Sequence, residues 1–305
     1  MDTDMRRRDF LAFTLALAAS AKAAEPQYQF PTEPRERLAV ATYPFRHLIS
    51  SKGGPGLSSS GRMTLGEFAG TVVPKLKVHG IEPWSPHFQS TDRDYVRGLS
   101  ESFEKAGLRV VDIPVDLSPK LCGSAKERDE GLAKFRQWVD AAVILKSPSI
   151  RVHLPHGETG DQIHCAVSAL SELAKYGASK NIVINLENDE PETEQPERIV
   201  KVIKAVNSPF LRALPDFCNS MLVHDDPEYN DQAMRMLFPL AFNISHVKDE
   251  ESDHGKTYRV DVNRIFSIAK SAGYRGYFSM EWEGSGDDPY EGTSKLIEAS
   301  LRNLS

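Results

Sequence analysis

The chain is poor in residues that would announce several common chemistries. Cysteine occurs three times in 305 residues, at Cys122, Cys165 and Cys218. An odd count with no Cys-x-x-Cys pair indicates neither a disulfide framework nor a zinc cluster, and the three read as buried thiols. Positive charge is not in excess: 37 Lys and Arg face 43 Asp and Glu, which argues against nucleic acid as a partner. The nine histidines are scattered, unlike a multi-zinc nuclease centre. No Gly-x-Ser-x-Gly elbow marks a serine hydrolase, and Cys218 reads as a packing residue rather than a nucleophile. No linker-like stretch divides the chain.

The N-terminus is a targeting segment, to be set aside before fold reasoning. Arg7-Arg8 followed by Asp9, Phe10 and Leu11 resembles a twin-arginine export signal, with Ala12 where a lysine is often found. The apolar run from Phe10 to Ala19 is too short for a stable bilayer span. Ala21-Lys22-Ala23 offers a small-x-small cleavage site. The expectation is a signal peptide over 1–23, a mature chain of 24–305 exported to the periplasm, and no stable membrane insertion after cleavage. Cleavage removes four basic and three acidic residues and leaves a net charge of −7.

From residue 38 onward, short β-type runs alternate eight times with amphipathic helical stretches. The runs cover 38–45, 80–84, 108–115, 149–155, 181–187, 211–217, 242–248 and 276–283. Helical spacing marks 127–146 and 164–177, the second ending on Gly177 as a candidate C-cap. Eight strand–helix units without a remainder predict an α/β fold, a single (β/α)8 TIM barrel.

Four potential metal ligands, Glu187, Asp216, His246 and Glu281, close the fifth to eighth runs at intervals of about one strand–helix unit. Strand parity aims the two glutamates. Ile182, Ile184 and Leu186 share one face against Val183, Asn185 and Glu187; Phe278, Met280 and Trp282 share one against Tyr277, Ser279, Glu281 and Glu283. With the apolar face under the helices, Glu187 and Glu281 point into the lumen at the C-terminal rim, where barrel enzymes keep their active sites. Three carboxylates and an imidazole suit a divalent ion. Such an ion stabilises the enediolate formed when a carbon beside a carbonyl loses a proton, and Glu187 and Glu281 can serve as base and acid.

The motifs NLEN, PDFCN, SHVKD and YFSMEWEG, in this order and spacing, resemble the xylose isomerase-like TIM barrel superfamily. The resemblance is to its sugar phosphate isomerase/epimerase and ketose 3-epimerase branch. It implies that Glu187, Asp216, His246 and Glu281 hold one divalent metal, Mn²⁺, Mg²⁺ or Co²⁺. Family members often carry a histidine three residues after the strand-six aspartate; here Asn219 stands there, able to hydrogen-bond a sugar hydroxyl but not to shuttle a proton.

Further substrate contacts are sought at the other strand ends. Lys248 shares the parity of His246 and either neutralises a developing oxyanion or pairs with Asp249 or Glu250 at the rim. Glu82, Trp84 and His87 follow the second run, with Trp84 either stacking on a sugar or packing the rim. Arg151, His153 and His156 cluster at the fourth. Tyr43, Phe45, Arg46 and His47 end the first, and Gly284 and Gly286 mark a rim loop. The expected activity is metal-dependent isomerisation or epimerisation of a sugar. Export points to a non-phosphorylated sugar or glycoside. The alternatives are a 3-keto-glycoside lyase working by β-elimination at the same site, and a non-catalytic sugar-binding partner subunit. A homo-oligomer is compatible with all three.

Overall fold

A computed structural model describes residues 25–52, 62–155, 162–284 and 288–305; the targeting segment, His156 and Gly286 lie outside them. The core strands are β1 (Leu38–Ala41), β2 (Gly80–Glu82), β3 (Arg109–Val110), β4 (Pro114–Val115), β5 (Ser149–Val152), β6 (Val183–Glu187), β7 (Leu211–Leu214), β8 (Ile244–Val247) and β11 (Tyr277–Met280). Between β8 and β11 lies a hairpin, β9 (Glu250–Asp253) with β10 (Lys256–Arg259). The longer helices are α1 (Leu65–Leu76), α2 (Arg93–Lys105), α3 (Ala125–Ile144), α4 (Gln162–Lys180), α5 (Pro196–Val206), α7 (Pro227–Leu237), α8 (Val262–Ser271) and α9 (Pro289–Leu304), with the short α6 (Ser220–Val223) before α7.

All core pairings are parallel, in the orders β3-β2-β1-β11-β8 and β4-β5-β6-β7. Two joints close these arcs into a ring. Bridges Ala213↔Ala241 and Asp216↔His246 tie β7 to β8. On the other side β3 and β4 are halves of one run, Val111 donating to the Ile81 carbonyl and Arg151 to that of Ile113. The eight predicted runs thus form the eight staves of a barrel, the third broken in the middle.

Alternation sorts each strand as expected. Outward residues such as Ile184, Leu186, Phe278 and Met280 pack under the helices in one continuous core. Inward residues fill the lumen in layers. At the N-terminal end Ala39, Val111, Leu214, Ile244 and Tyr277 form an apolar floor on which Tyr28 and Phe30 pack, with Tyr28 and Tyr277 hydroxyls 3.0 Å apart. Above it Asn185 donates to Asp112 and Asn243 at 3.1 Å each, Ser149 donates to Asp112, and Asn243 donates to Ser149 at 2.6 Å. Burial and nearby Glu82 raise Asp112 to about 7. This polar layer supports the residues at the rim.

Two local expectations are corrected, and one element is added. Cys122 and Cys165 are a disulfide, with Cα atoms 5.5 Å apart, and Cys218 alone is a buried thiol. The two half-cystines lie on the segments following adjacent β4 and β5, a proximity that sequence spacing does not encode. Helix α4 passes through Gly177 and ends at Lys180, with Asn181 at φ 58°. A Cβ on Gly177 would collide with the Ile182 carbonyl, so its lack of a side chain serves close packing rather than capping. The β9–β10 hairpin is polar on both faces and lacks the apolar alternation that marks a buried strand.

The disulfide closes a loop across a sequence separation of 43 residues, which is worth about 2–4 kcal/mol. Alkylation of the denatured, unreduced protein is expected to label one thiol, Cys218, and three after reduction; Cys122→Ser should lower the melting temperature by several degrees.

Candidate metal centre

Glu187 is the last residue of β6, Asp216 follows β7, His246 lies in β8 and Glu281 follows β11. One ligand atom from each lies within 4.8 Å of the others. His246 Nδ1 is 2.7 Å from Glu187 Oε1, 3.0 Å from Glu281 Oε2 and 3.9 Å from Asp216 Oδ2. Its other nitrogen, Nε2, is 2.9 Å from Glu82 Oε1. A carboxylate behind an imidazole fixes which nitrogen faces the ligand-binding side and strengthens it as a donor. Glu82, expected at the substrate, is completely buried behind His246 instead.

The test of fit is Asp216. Its Oδ1 accepts the backbone N–H groups of Cys218 and Asn219 at 2.8 Å each, which locks the side chain. Its Oδ2 is buried without a hydrogen-bond partner, with Lys248 Nζ 3.6 Å and His246 Nδ1 3.9 Å away, so a lone pair is left for a bound cation. Burial, assisted by Glu187 and Glu281, raises Asp216 to about 7. Burial also raises Glu187. For Glu281 burial acts in the same sense, but His246 and Lys248 outweigh it and hold the carboxyl well below its usual range. Burial lowers His246, yet Glu187, Glu281 and Glu82 together keep its proton bound far above the normal imidazole range. Three carboxylates around one imidazole form an oxygen-rich donor set that fits a divalent ion.

Two protein cations flank the cluster. Arg151, 5 % exposed, places Nε 3.1 Å from Glu187 Oε2 and Nη1 2.8 Å from Asp116 Oδ1. Lys248, 3 % exposed, lies 2.5 Å from Glu283, 3.2 Å from Glu251, 3.4 Å from Glu281 and 3.6 Å from Asp216. It also donates to Asn219 Oδ1 at 3.0 Å. Its anionic partners are therefore not the expected Asp249 and Glu250, and Asn219 steadies this lysine rather than facing the open cavity.

Above the cluster opens a cavity of about 490 Å³. Of the expected contacts, Arg151, His153, Trp84, Lys248, Glu187 and Glu281 line it, as do Tyr43, Arg46 and His47, whereas Glu82 and Asn219 do not. Phe45 is buried against Phe68 and Tyr290. Sequence reading missed Asp116, Asp189, Glu190 and Glu251 in the lining. Asp116 and Asp189 stand one and two residues past their strands, a parity that could have flagged Asp189 but not a residue on the missed hairpin. His153, Asp189 and Glu194 also converge, but Arg151 already supplies the cation there, 3.9 Å from Asp189. Both Glu194 oxygens are engaged by Leu154 N–H, Glu190 N–H and His153.

A family model described as xylose isomerase-like TIM barrel matches residues 72–304. The chain belongs to this family. Solved structures of xylose isomerase-like folds agree. One is a xylose isomerase-like TIM barrel protein from Mycobacterium smegmatis in complex with magnesium: 19 % identity, 88 % of this chain and 96 % of that one covered, TM-score 0.67. Another is an L-ribulose 3-epimerase, at 15 % identity, 88 % and 95 % coverage and TM-score 0.67. A third is a 3-keto-D-glucoside 4-epimerase from E. coli, at 15 % identity, 84 % and 98 % coverage and TM-score 0.63. At these identities the likeness is one of fold. Among curated proteins no match is found.

This xylose isomerase-like barrel is expected to bind one divalent ion per chain in a calorimetric titration with Mn²⁺. Asp216→Ala should abolish the binding, and Glu82→Gln should weaken it about 10–100-fold. A separate pH effect belongs to His153. Burial and Arg151 lower it, but Asp116 and Glu194 outweigh them and lift it to about 10. A raised pKa stabilises the fold fully below the unfolded value of about 6.5, and the gain is lost as pH climbs through 10. Urea midpoints measured from pH 6 to 10 should fall more steeply in the wild type than in His153→Gln.

Proposed function

We propose that the chain is a divalent-metal-dependent sugar isomerase or epimerase, acting by proton abstraction next to a carbonyl on a non-phosphorylated sugar. The observation that carries this reading is the convergence of Glu187 and Glu281 on one imidazole nitrogen, at 2.7 and 3.0 Å, under an open cavity. Mn²⁺, Mg²⁺ or Co²⁺ suits the donor set.

When bound, the ion supplies Lewis acidity toward adjacent substrate oxygens. The protein does the rest. Glu187 and Glu281 come from β6 and β11, which are not neighbours in the ring, so they reach a substrate carbon from different sides; one removes its proton and the other returns one. Arg151 braces the second oxygen of Glu187 and limits its freedom to swing. Lys248 adds a fixed positive charge beside Glu281, where negative charge grows on the substrate oxygen as the proton leaves.

Carboxylates outnumber Arg and Lys in the cavity lining by seven to three. That balance favours a neutral polyol over a phosphorylated one, because sugar hydroxyls donate to carboxylates whereas phosphate is repelled by them. Export by a twin-arginine signal over 1–23 to the periplasm forms part of the same proposal. The Cys122–Cys165 disulfide supports it, since such bonds persist in oxidising compartments.

Mn²⁺-loaded protein incubated with ketoses and 3-keto-sugars in D₂O should incorporate deuterium at the carbon next to the carbonyl. Glu281→Gln should lower the rate by at least 10²-fold with the fold intact by circular dichroism. Release of an aglycone from a 3-keto-glycoside would assign the β-elimination outcome instead. Full exchange in Glu281→Gln would refute the mechanism.

A further inference from the structure

One ammonium group at the barrel mouth is surrounded by more oxygens than it has protons to give. Lys248 Nζ lies 2.5 Å from Glu283 Oε1, 3.0 Å from Asn219 Oδ1 and 3.2 Å from Glu251 Oε2. An ammonium carries three N–H donors, and these three contacts account for them. Two further oxygens, Glu281 Oε2 at 3.4 Å and Asp216 Oδ2 at 3.6 Å, face the same nitrogen with no Lys248 proton left for either. Asp216 Oδ2 belongs to a wholly buried side chain and has no hydrogen-bond partner.

Oxygen atoms from five residues around one point are most of the shell of a hard divalent cation, which takes about six or more such donors where an ammonium takes three. They come from separate parts of the rim: Asp216 and Asn219 follow β7, Glu251 lies in β9, and Glu281 and Glu283 follow β11. Two of the five are the very atoms that turn toward His246 Nδ1, Glu281 Oε2 at 3.0 Å and Asp216 Oδ2 at 3.9 Å. The ring around Lys248 and the four-residue cluster thus share two carboxylate oxygens, as two cation sites do when carboxylates bridge them. Lys248, Glu251, Glu281 and Glu283 all line the cavity, so an ion from solvent can reach the ring.

We infer that Lys248 fills a second cation site, formed by Asp216, Asn219, Glu251, Glu281 and Glu283, and so limits the protein to one divalent ion. This rests on the metal centre proposed above and has a chemical consequence. A pair of metal ions sharing ligands can clamp both the attacking and the leaving oxygen of a hydrolytic displacement. A lysine supplies positive charge but no open coordination position, so it restricts the site to chemistry that a single ion supports, such as proton abstraction beside a carbonyl. Lys248 is then a residue that sets metal content, and through it the class of reaction.

The test is stoichiometry, read by calorimetric titration with Mn²⁺ and by electron paramagnetic resonance of the bound ions, independently of turnover. Wild type should bind one ion per chain and show the spectrum of an isolated ion. Lys248→Ala, which removes the ammonium and leaves room for an ion, should bind two and show spin coupling between them. Adding Glu283→Gln to that variant should weaken the second ion by about tenfold or more, because a charged ligand is lost. Two ions in the wild type, or no additional ion in folded Lys248→Ala, would overturn the inference. Should Lys248→Ala be unfolded without metal, circular dichroism decides: structure regained with two Mn²⁺ bound supports the inference, and no recovery at saturating Mn²⁺ overturns it. Absence of any ion from the wild type would count against the metal centre alone, and the gain or lack of an ion in Lys248→Ala would still decide the second site.

Discussion

Negative charge buried at a barrel mouth is the constraint around which the rest of the molecule is arranged. Glu187, Asp216 and Glu281 sit with Glu82 in a space almost sealed from water, where an unpaired carboxylate costs several kcal/mol. The protein offsets part of that cost with His246, Arg151 and Lys248, each touching two or more carboxylates. It leaves Asp216 Oδ2 without a hydrogen-bond partner. A divalent ion, as proposed, would complete the balance. The same cations then spread outward, Arg151 to Asp116 and through it to Trp84, Lys248 to Asn219, Glu251 and Glu283, so the outer cavity is built on the electrostatics of the inner one.

Below the rim, the lumen passes from an ionic layer through a neutral hydrogen-bonded layer to an apolar floor. The order has a physical logic. Side chains that must hold a ligand need rigid neighbours, and Asn185, Ser149 and Asn243 provide a connected set of hydrogen bonds directly beneath. Tyr28 and Phe30 cover the far end. Residues that do no chemistry thereby fix the geometry of those that do.

The barrel and the clustering of the four residues were legible because both follow from periodicity. Parity two along a strand placed Glu187 and Glu281 in the lumen, and the spacing of strand–helix units brought Asp216 and His246 beside them. What escaped was contact between elements with no periodic signature. Glu82 reads as a strand-end carboxylate like Glu187, and nothing local says that it backs His246 rather than facing substrate. Asn219 and Lys248 were each flagged, but not their bond to one another. The Cys122–Cys165 bridge and the Glu251 contact depend on how loops fold over the rim, which neither hydrophobic alternation nor residue spacing specifies.

The central claim is that one cation occupies the space between Glu187, Asp216, His246 and Glu281. Anomalous diffraction from crystals of the Mn²⁺-loaded protein, collected at the manganese edge, addresses it directly. The account predicts a single strong peak bonded to His246 Nδ1 and to one oxygen of each of the three carboxylates. A peak among His153, Asp189 and Glu194, or none at the four-residue cluster, would contradict it.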